Sequence, residues 1–292
     1  MSRCGSLALA LVVLWVAAVA RGDEAADKLA AQKKQAEANW IAVEAGDVVS
    51  LETSHLLICA PKSAEKNLKE VGIHLEKYYA EAAKALGYDA KKLPWTGKLT
   101  VYLLPEKEHF QAFVRRVEKR RLVSGETSSH AVEGDAPHAV AGPSQSKDEF
   151  SAEVQAGQQI GAAMVQLKAG AKVPLPDWLL TGFGRATTYH VSPQDKAVLA
   201  DRKIARDALA KKRTAKAVYT ETADADEMPA LSGALADLLA YGPGASKFSE
   251  FLAGFKPKEN VEKMTTEQAL DATGLKVDRL ESAWKTWVVN PK

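Results

Sequence analysis

Cysteine is nearly absent from this chain, since Cys4 and Cys59 are the only two among 292 residues. Two cysteines exclude a disulfide framework and a cysteine-rich zinc site. A charge of one sign is also lacking, because 39 Lys and Arg residues face 37 Asp and Glu residues, for a net charge of +2. This balance gives no indication of a nucleic-acid or membrane-surface partner. With 46% hydrophobic and 26% charged residues, the composition is that of a globular protein.

Several common catalytic and cofactor motifs are missing too. The sequence contains no P-loop, no Gly-x-Gly-x-x-Gly, no Gly-x-Ser-x-Gly and no Cys-x-x-Cys-His. Cys59 lies in the apolar run 55–60 without any sign of an activated thiol. We therefore predict that Cys59 is a small buried hydrophobic residue.

Long apolar runs are lacking except at the start of the chain, where Leu7–Ala20 is apolar throughout. Arg3 precedes the run, and a small-x-small pattern, Ala18 to Ala20, closes it. These are the three parts of a secretory signal peptide, and the 14 residues of the run are short for a membrane span, which needs about 20. We predict a signal peptide at 1–20 and export to the periplasm or the cell exterior. We expect no stable membrane span after cleavage.

Hydrophobic periodicity predicts strands first and helices after them, which indicates an α+β fold. Residues 21–39 are a leader or a frayed helix. The predicted strands are 40–43, 48–51, 56–58 and 99–104, with one or two more in 122–143. The predicted helices are 63–86, 106–118, 148–169, 176–190, 193–212, 227–241, 245–254, 266–273 and 276–288. We expect a lobe with a mixed or antiparallel sheet at 40–190 and a helical subdomain at 191–292.

Two glycines stand inside the helix predicted for 148–169. Gly157 and Gly161 are four residues apart and so share one helix face, which also carries apolar residues. A glycine inside a helix costs roughly 1 kcal/mol relative to alanine, so the pair needs a reason. Close packing against another helix is one explanation.

A resemblance supplies another explanation. The segment 156–162, followed by Pro176-Asp177-Trp178-Leu179-Leu180-Thr181-Gly182, resembles two helices of gluzincin zinc metallopeptidases, specifically the exported peptidase-MA-like group. The strand and Phe-bearing helix at 98–110, and the closing helices at 269–288, extend the resemblance over residues 40–289. It implies a metallopeptidase-like fold and a peptide-binding groove.

The resemblance also implies a zinc site whose residues this chain has replaced. Gly157 and Gly161 stand where the family has its two histidine ligands, Thr181 stands at the third ligand, and Gln158 stands at the general base. Glycine has no side-chain donor, and glutamine does not accept a proton at neutral pH. Without the metal there is no activated water. We expect neither the zinc cofactor nor the peptidase mechanism, and hence no catalytic residues at these positions.

The alternative is a metal site rebuilt from other residues. His130, Glu133, Asp135 and His138 offer zinc-type donors within one predicted loop, although their spacing matches no known motif. Glu153 and His190 flank the replaced site and are further candidates. The sequence thus leaves two functions open. One is an exported, inactive metallopeptidase-like protein that binds a peptide, a protein or an envelope component in its degenerate groove. The other is a hydrolase with a rebuilt metal site.

Overall fold

A computed structural model of the chain describes residues 26–89, 94–95, 97–134, 136–144, 149–259 and 261–291. The predicted signal peptide, 1–20, and the candidate ligand Asp135 lie outside the described residues. None of the helices in the described ranges combines the length and the apolar character needed to cross a bilayer.

A five-stranded mixed sheet lies on the N-terminal side of the fold, in the order β1-β2-β3-β5-β4. The strands are β1 (Val48–Glu52), β2 (Leu56–Pro61), β3 (Leu99–Leu103), β4 (Ser128–Ala131) and β5 (His138–Ala141). The central pairs β2-β3 and β3-β5 are parallel, whereas both outer pairs are antiparallel. The predicted strands at 48–51, 56–58 and 99–104 are therefore confirmed, as are the two expected within 122–143.

From residue 152 onward the described chain is helical, as expected, whereas one helix precedes the sheet and two connect its strands. The helices are α1 (26–42), α2 (Leu68–Ala85), α3 (Lys107–Arg116), α4 (Ala152–Ala169), α5 (Asp177–Val191), α6 (Lys196–Ala210), α7 (Ala215–Tyr219), α8 (Met228–Tyr241), α9 (Phe248–Ala253), α10 (Thr266–Ala272) and α11 (Val277–Val289). Short 3-10 turns at Lys62–Ala64 and Ala245–Lys247 precede α2 and α9. Helix α7, about one and a half turns long and capped by the Thr214 side chain, was not predicted from the sequence.

The strand predicted at 40–43 was wrong, because most of it belongs to α1. Ala36, Trp40 and Val43 are spaced four and three residues apart, and all three are buried, while Ile41 between them is 67% exposed. This is a helical period and not the two-residue period of a strand. A four-residue apolar run does not distinguish the two periods, whereas the longer window from Ala36 does.

Both faces of the sheet are covered, since residues of the inner strand β2 alternate between two cores. Leu56 and Ile58 of β2 belong to the large cluster that holds α2, α4 and α5. Leu57 and Cys59 belong to the second cluster, with α1 and α3. Cys59 is 2% exposed, and burial raises the pKa of its thiol to about 12. The prediction that Cys59 is buried is confirmed.

The large cluster continues from the sheet into the late helices. It contains Leu56 of β2, Leu179 of α5, Leu235 of α8 and Trp284 of α11. The two sides of the predicted boundary at 190 thus share one buried core. That boundary, and the separate C-terminal subdomain, stay predictions.

Candidate functional site

Helices α4 and α5, which carry the metallopeptidase-like segments, are neighbours in the fold. The Ser151 hydroxyl caps α4 by accepting a hydrogen bond from the Val154 amide at 3.3 Å, and Gly170, at φ 129°, ends it. Pro174 and Pro176 precede α5. A proline is tolerated there because an amide at the start of a helix has no acceptor within that helix, so no hydrogen bond is lost. The connection of only seven residues makes the two helices adjacent.

Glycines bring the two helix backbones into contact. A Cβ atom built on Gly184 of α5 would lie 2.5 Å from the carbonyl oxygen of Gln158 on α4. A Cβ atom on Gly161 would lie 3.4 Å from the Gly184 Cα atom and 3.3 Å from the Thr187 hydroxyl oxygen. Close packing therefore accounts for Gly161, and replaced metal ligands are not needed to explain that glycine.

Gly157 faces a different neighbour. Its built Cβ atom would lie 2.6–2.7 Å from three ring carbons of Tyr78 on α2, and Tyr78 is fully buried. The ring thus fills the space that a side chain at position 157 would need. Gly157 and Gly161 are buried, whereas Thr181 is exposed. Two of the three ligand positions are packed against neighbouring elements, and the three do not line one open surface. The degenerate groove predicted there is not formed by these residues.

Gln158, at the position of the general base, is half-buried beside Gly184. Its side-chain Nε2 atom is buried and has no hydrogen-bond partner within the described part of the chain. Glutamine at this position packs against α5 and has no proton-accepting role.

The strand register separates two candidate ligands of a rebuilt metal site. His130 of β4 lies opposite Ala139, and His138 of β5 lies opposite Ala131. Because side chains alternate between sheet faces, His130 and His138 point to opposite faces. One metal ion cannot bind both side chains. Glu133 is exposed after the end of β4.

His138 has partners of its own on its face of the sheet. Its Nε2 atom lies 3.2 Å from a carboxylate oxygen of Glu118, which also accepts a hydrogen bond from the Ser129 hydroxyl at 2.7 Å. Burial favours the neutral form of Glu118, but the hydrogen bonds from His138 and Ser129 outweigh it and lower the pKa of this carboxyl. These contacts join α3 to the outer strand pair.

The other two candidates are also engaged separately. Glu153 of α4 binds Nδ1 of His74 on α2, and His190 of α5 binds Asp237 of α8 through Nε2 at 2.7 Å. Within the ranges that the structure covers, no three His, Cys, Asp or Glu side chains converge as a metal site. His130, His138, Glu153 and His190 thus each have a protein partner of their own.

On the α4 side of the sheet, Gln159 connects the outer strand to the helix. Its Nε2 donates to the Ser128 hydroxyl at 2.9 Å, and its Oε1 lies 2.8 Å from Nδ1 of His130. The amide oxygen can only accept, so the Nδ1 atom of His130 carries the proton in this contact. One turn earlier, Gln155 accepts a hydrogen bond from the Thr127 hydroxyl at 2.5 Å. Glutamines of α4 therefore fix β4 against the helix.

An open cavity of about 260 Å³ lies where β4 ends beside α4. It is lined by His130, Ala131, Val132, Glu133, Gln166 and Ala171. Desolvation lowers the pKa of His130, while the contact with Gln159 partly opposes this shift. The cavity thus has the His130 imidazole in its wall and the exposed Glu133 side chain at its rim.

The lowered pKa of His130 predicts a pH-dependent loss of stability. The unfolded chain binds a proton at His130 below about pH 6.5, while the folded chain resists it. The contribution of neutral His130 to the free energy of unfolding is fully present above that pH. It decreases as the pH falls toward the pKa of His130 in the folded chain, by at most about 1.4 kcal/mol per pH unit. We expect the free energy of unfolding of His130→Gln to depend less on pH than that of the wild type, as measured by guanidinium unfolding between pH 7.5 and 5.5. The difference between variant and wild type at pH 8 gives the packing contribution alone; a constant difference at all pH values contradicts the prediction.

His74, Ser192 and Asp237 belong to no motif in the sequence. His74 contacts Glu153, 79 residues away, and Ser192, 118 residues away. Asp237 meets His190 and Trp287 across 47 and 50 residues. No local pattern links residues at such separations, so only the packing of the helices shows these clusters.

Comparison with known protein families gives no match to any family model, and comparison with curated protein sequences gives no match either. The relation to metallopeptidases therefore depends on the residues quoted above.

Proposed function

We propose that this chain is an exported metallopeptidase-like protein that lacks the zinc peptidase activity and binds an extended polypeptide segment along the edge strand β4. The observation that carries the proposal is the position of β4, which is the last strand of the sheet, lies against α4 and ends at the open cavity. In metallopeptidases of the kind this sequence resembles, we expect the substrate beside the site helix. The resemblance implies that this chain keeps the helix and has replaced its chemical groups.

The hydrogen-bond pattern of β4 supports strand addition. The Gly142 amide donates to the Thr127 carbonyl at 2.8 Å, which fixes the alternation of the antiparallel ladder. By that alternation, the backbone groups of Ser129 and Ala131 face β5, and those of Ser128 and His130 face outward. Within the described ranges no other strand pairs with this outer edge. An extended segment can use these outward groups and place a side chain into the cavity.

The geometry favours binding over the alternative of a rebuilt metal site. His130 and His138 lie on opposite faces, and Glu153 and His190 are held by His74 and Asp237. A bound peptide needs only main-chain donors and acceptors and a pocket, which this edge provides.

Peptide selection tests the proposal. A library of randomised decapeptides should yield binders to the mature protein, and binding measured by fluorescence anisotropy should depend on backbone pairing. Only every second amide of a bound strand points toward β4. N-methylation of either the odd-numbered or the even-numbered peptide amides should therefore abolish binding, and N-methylation of the other set should leave it intact.

A matched pair of variants locates the binding surface. Ala171→Trp fills the cavity and should weaken binding at least tenfold, whereas Ala42→Trp, at an exposed position on α1, should leave it unchanged. Strand addition at β4 would be refuted if both variants lost affinity equally. It would also be refuted if peptides methylated on odd-numbered and on even-numbered amides bound equally well. Stoichiometric zinc in the purified protein with chelator-sensitive peptidase activity would overturn the inactive assignment.

A further inference from the structure

Three helix segments bring a serine, a histidine and a glutamate together at a place separate from the β4 edge. His74 lies on α2, Glu153 on the first turn of α4, and Ser192 at the C-terminal cap of α5. Nδ1 of His74 binds the Glu153 carboxylate, and Nε2 of His74 lies 3.3 Å from the Ser192 hydroxyl oxygen. All three are half-buried, so the group meets solvent.

We propose that Ser192, His74 and Glu153 form the nucleophile, general base and orienting carboxylate of an acyl-ester hydrolase. The two imidazole nitrogens have the roles that this chemistry needs: the carboxylate holds the proton on Nδ1, which leaves Nε2 free to accept the serine proton. A nucleophile–base separation slightly above 3.2 Å is common before substrate binds. The constellation is recognised by geometry and roles, and it does not depend on sequence order.

Tyr78 supplies the fourth component. It is fully buried, and its hydroxyl has no hydrogen-bond partner among the described residues. Burial raises the pKa of Tyr78 to about 12, and the neighbouring hydroxyls of Thr188 and Ser192 oppose this shift, so the phenol keeps its proton at neutral pH. Its ring also packs edge-on against His74, with centroids 5.2 Å apart. This protonated hydroxyl, beside those of Thr188 and Ser192, is the donor that we assign to the oxyanion formed when Ser192 attacks.

The reaction balances with water as the only co-reactant. Ser192 Oγ bonds to the ester carbonyl carbon, and its proton moves to Nε2 of His74. The carbon–oxygen bond to the alcohol breaks, and the alcohol takes that proton. Water then attacks the acyl-serine, gives a proton to His74 and releases the acid, while the proton returns to Ser192 Oγ.

The surroundings limit the substrate class. A single hydroxyl donor stabilises an oxyanion less than the paired donors of a complete oxyanion hole. A weakly stabilised oxyanion suits esters with good leaving groups, whereas amides are too unreactive. We therefore assign activated esters as the substrates.

The test uses p-nitrophenyl acetate and a biotinylated fluorophosphonate with the full mature chain. The wild type should hydrolyse the ester with a burst and be labelled on Ser192, identified by peptide mass spectrometry. Ser192→Ala should abolish labelling, and His74→Gln should lower the acylation rate by about 10²-fold or more. Glu153→Gln should shift the pH profile of acylation, because it changes the orienting partner of the base.

Ser151→Ala is the matched control, since Ser151 caps α4 on its backbone only and should leave labelling intact. Thermal unfolding of each variant checks folding, and Ser192→Cys retains a nucleophile that iodoacetamide should alkylate faster than in the double variant with His74→Gln. An unlabelled wild type, or wild-type hydrolysis by Ser192→Ala, overturns the triad. Peptide binding at β4 involves none of these residues, so either proposal can fail alone.

Discussion

Replacing Gly157 with histidine, the residue that the metallopeptidase pattern would place there, will destabilise the protein without creating a zinc ligand. Even the Cβ atom of alanine would lie 2.6–2.7 Å from the Tyr78 ring, well inside contact distance. Tyr78 is fully buried on α2 and has no space to move away. Overpacking a core typically costs about 1–3 kcal/mol, and we expect Gly157→Ala near the upper end and Gly157→His beyond it.

Gly72→Ala is the matched control, because Gly72 is also a buried glycine within a helix. Its built Cβ atom lies closest to a terminal methyl group of Leu51, at 2.7 Å, and this flexible end can rotate away. The roughly 1 kcal/mol gained in helix propensity offsets that contact, so its free energy of unfolding should change by less than about 1 kcal/mol. Urea unfolding of the three variants compares them; a Gly157→Ala protein as stable as Gly72→Ala would show that the position is still open.

Asp237→Ala should cause a comparable loss of stability. Asp237 is 2% exposed, and its carboxylate accepts a hydrogen bond from the Trp287 indole at 2.8 Å and lies 2.7 Å from Nε2 of His190. His190 in turn stacks on Tyr241, with ring centroids 4.0 Å apart. Removing one partner of a buried charged network leaves the others without partners, which costs about 3–5 kcal/mol.

The control for Asp237 is Glu250→Ala, which breaks an exposed pair with Lys247 on the protein surface. Exposed pairs contribute at most about 1 kcal/mol, so its effect should be small. Chemical denaturation with near-UV circular dichroism and Trp287 fluorescence measures both. A loss below about 1 kcal/mol in Asp237→Ala would mean that α5, α8 and α11 are not joined through this carboxylate.

Much of the fold could be predicted because local patterns specify it. The residues of β2 read as a continuous apolar run because both faces of that strand are buried, and β3 has the same cause. The helical period of Leu68, Leu75, Tyr79 and Ala82 marks the buried face of α2. The strand predicted at 40–43 failed because four residues are too few to separate the two periods.

The candidate site was predictable only in part. The sequence indicated that α4 and α5 are special, since glycines inside helices need a reason, and the packing of Gly161 against Gly184 gives one. It gave no indication that Tyr78 fills the space beside Gly157, because that residue comes from another helix. The loop histidines were predicted together, and the register of β4 and β5 separates them.

The sequence by itself determined most of the strands and helices, the buried cysteine and the absence of metal-binding side chains at positions 157, 161 and 181. Those properties depend on residue type and on local periodicity, which any window of the chain contains. Tertiary structure alone decided which side chains meet: Tyr78 with Gly157, His74 with Glu153 and Ser192, and Asp237 with His190 and Trp287. Such meetings follow from how whole helices pack against one another, and no short segment of the chain encodes them.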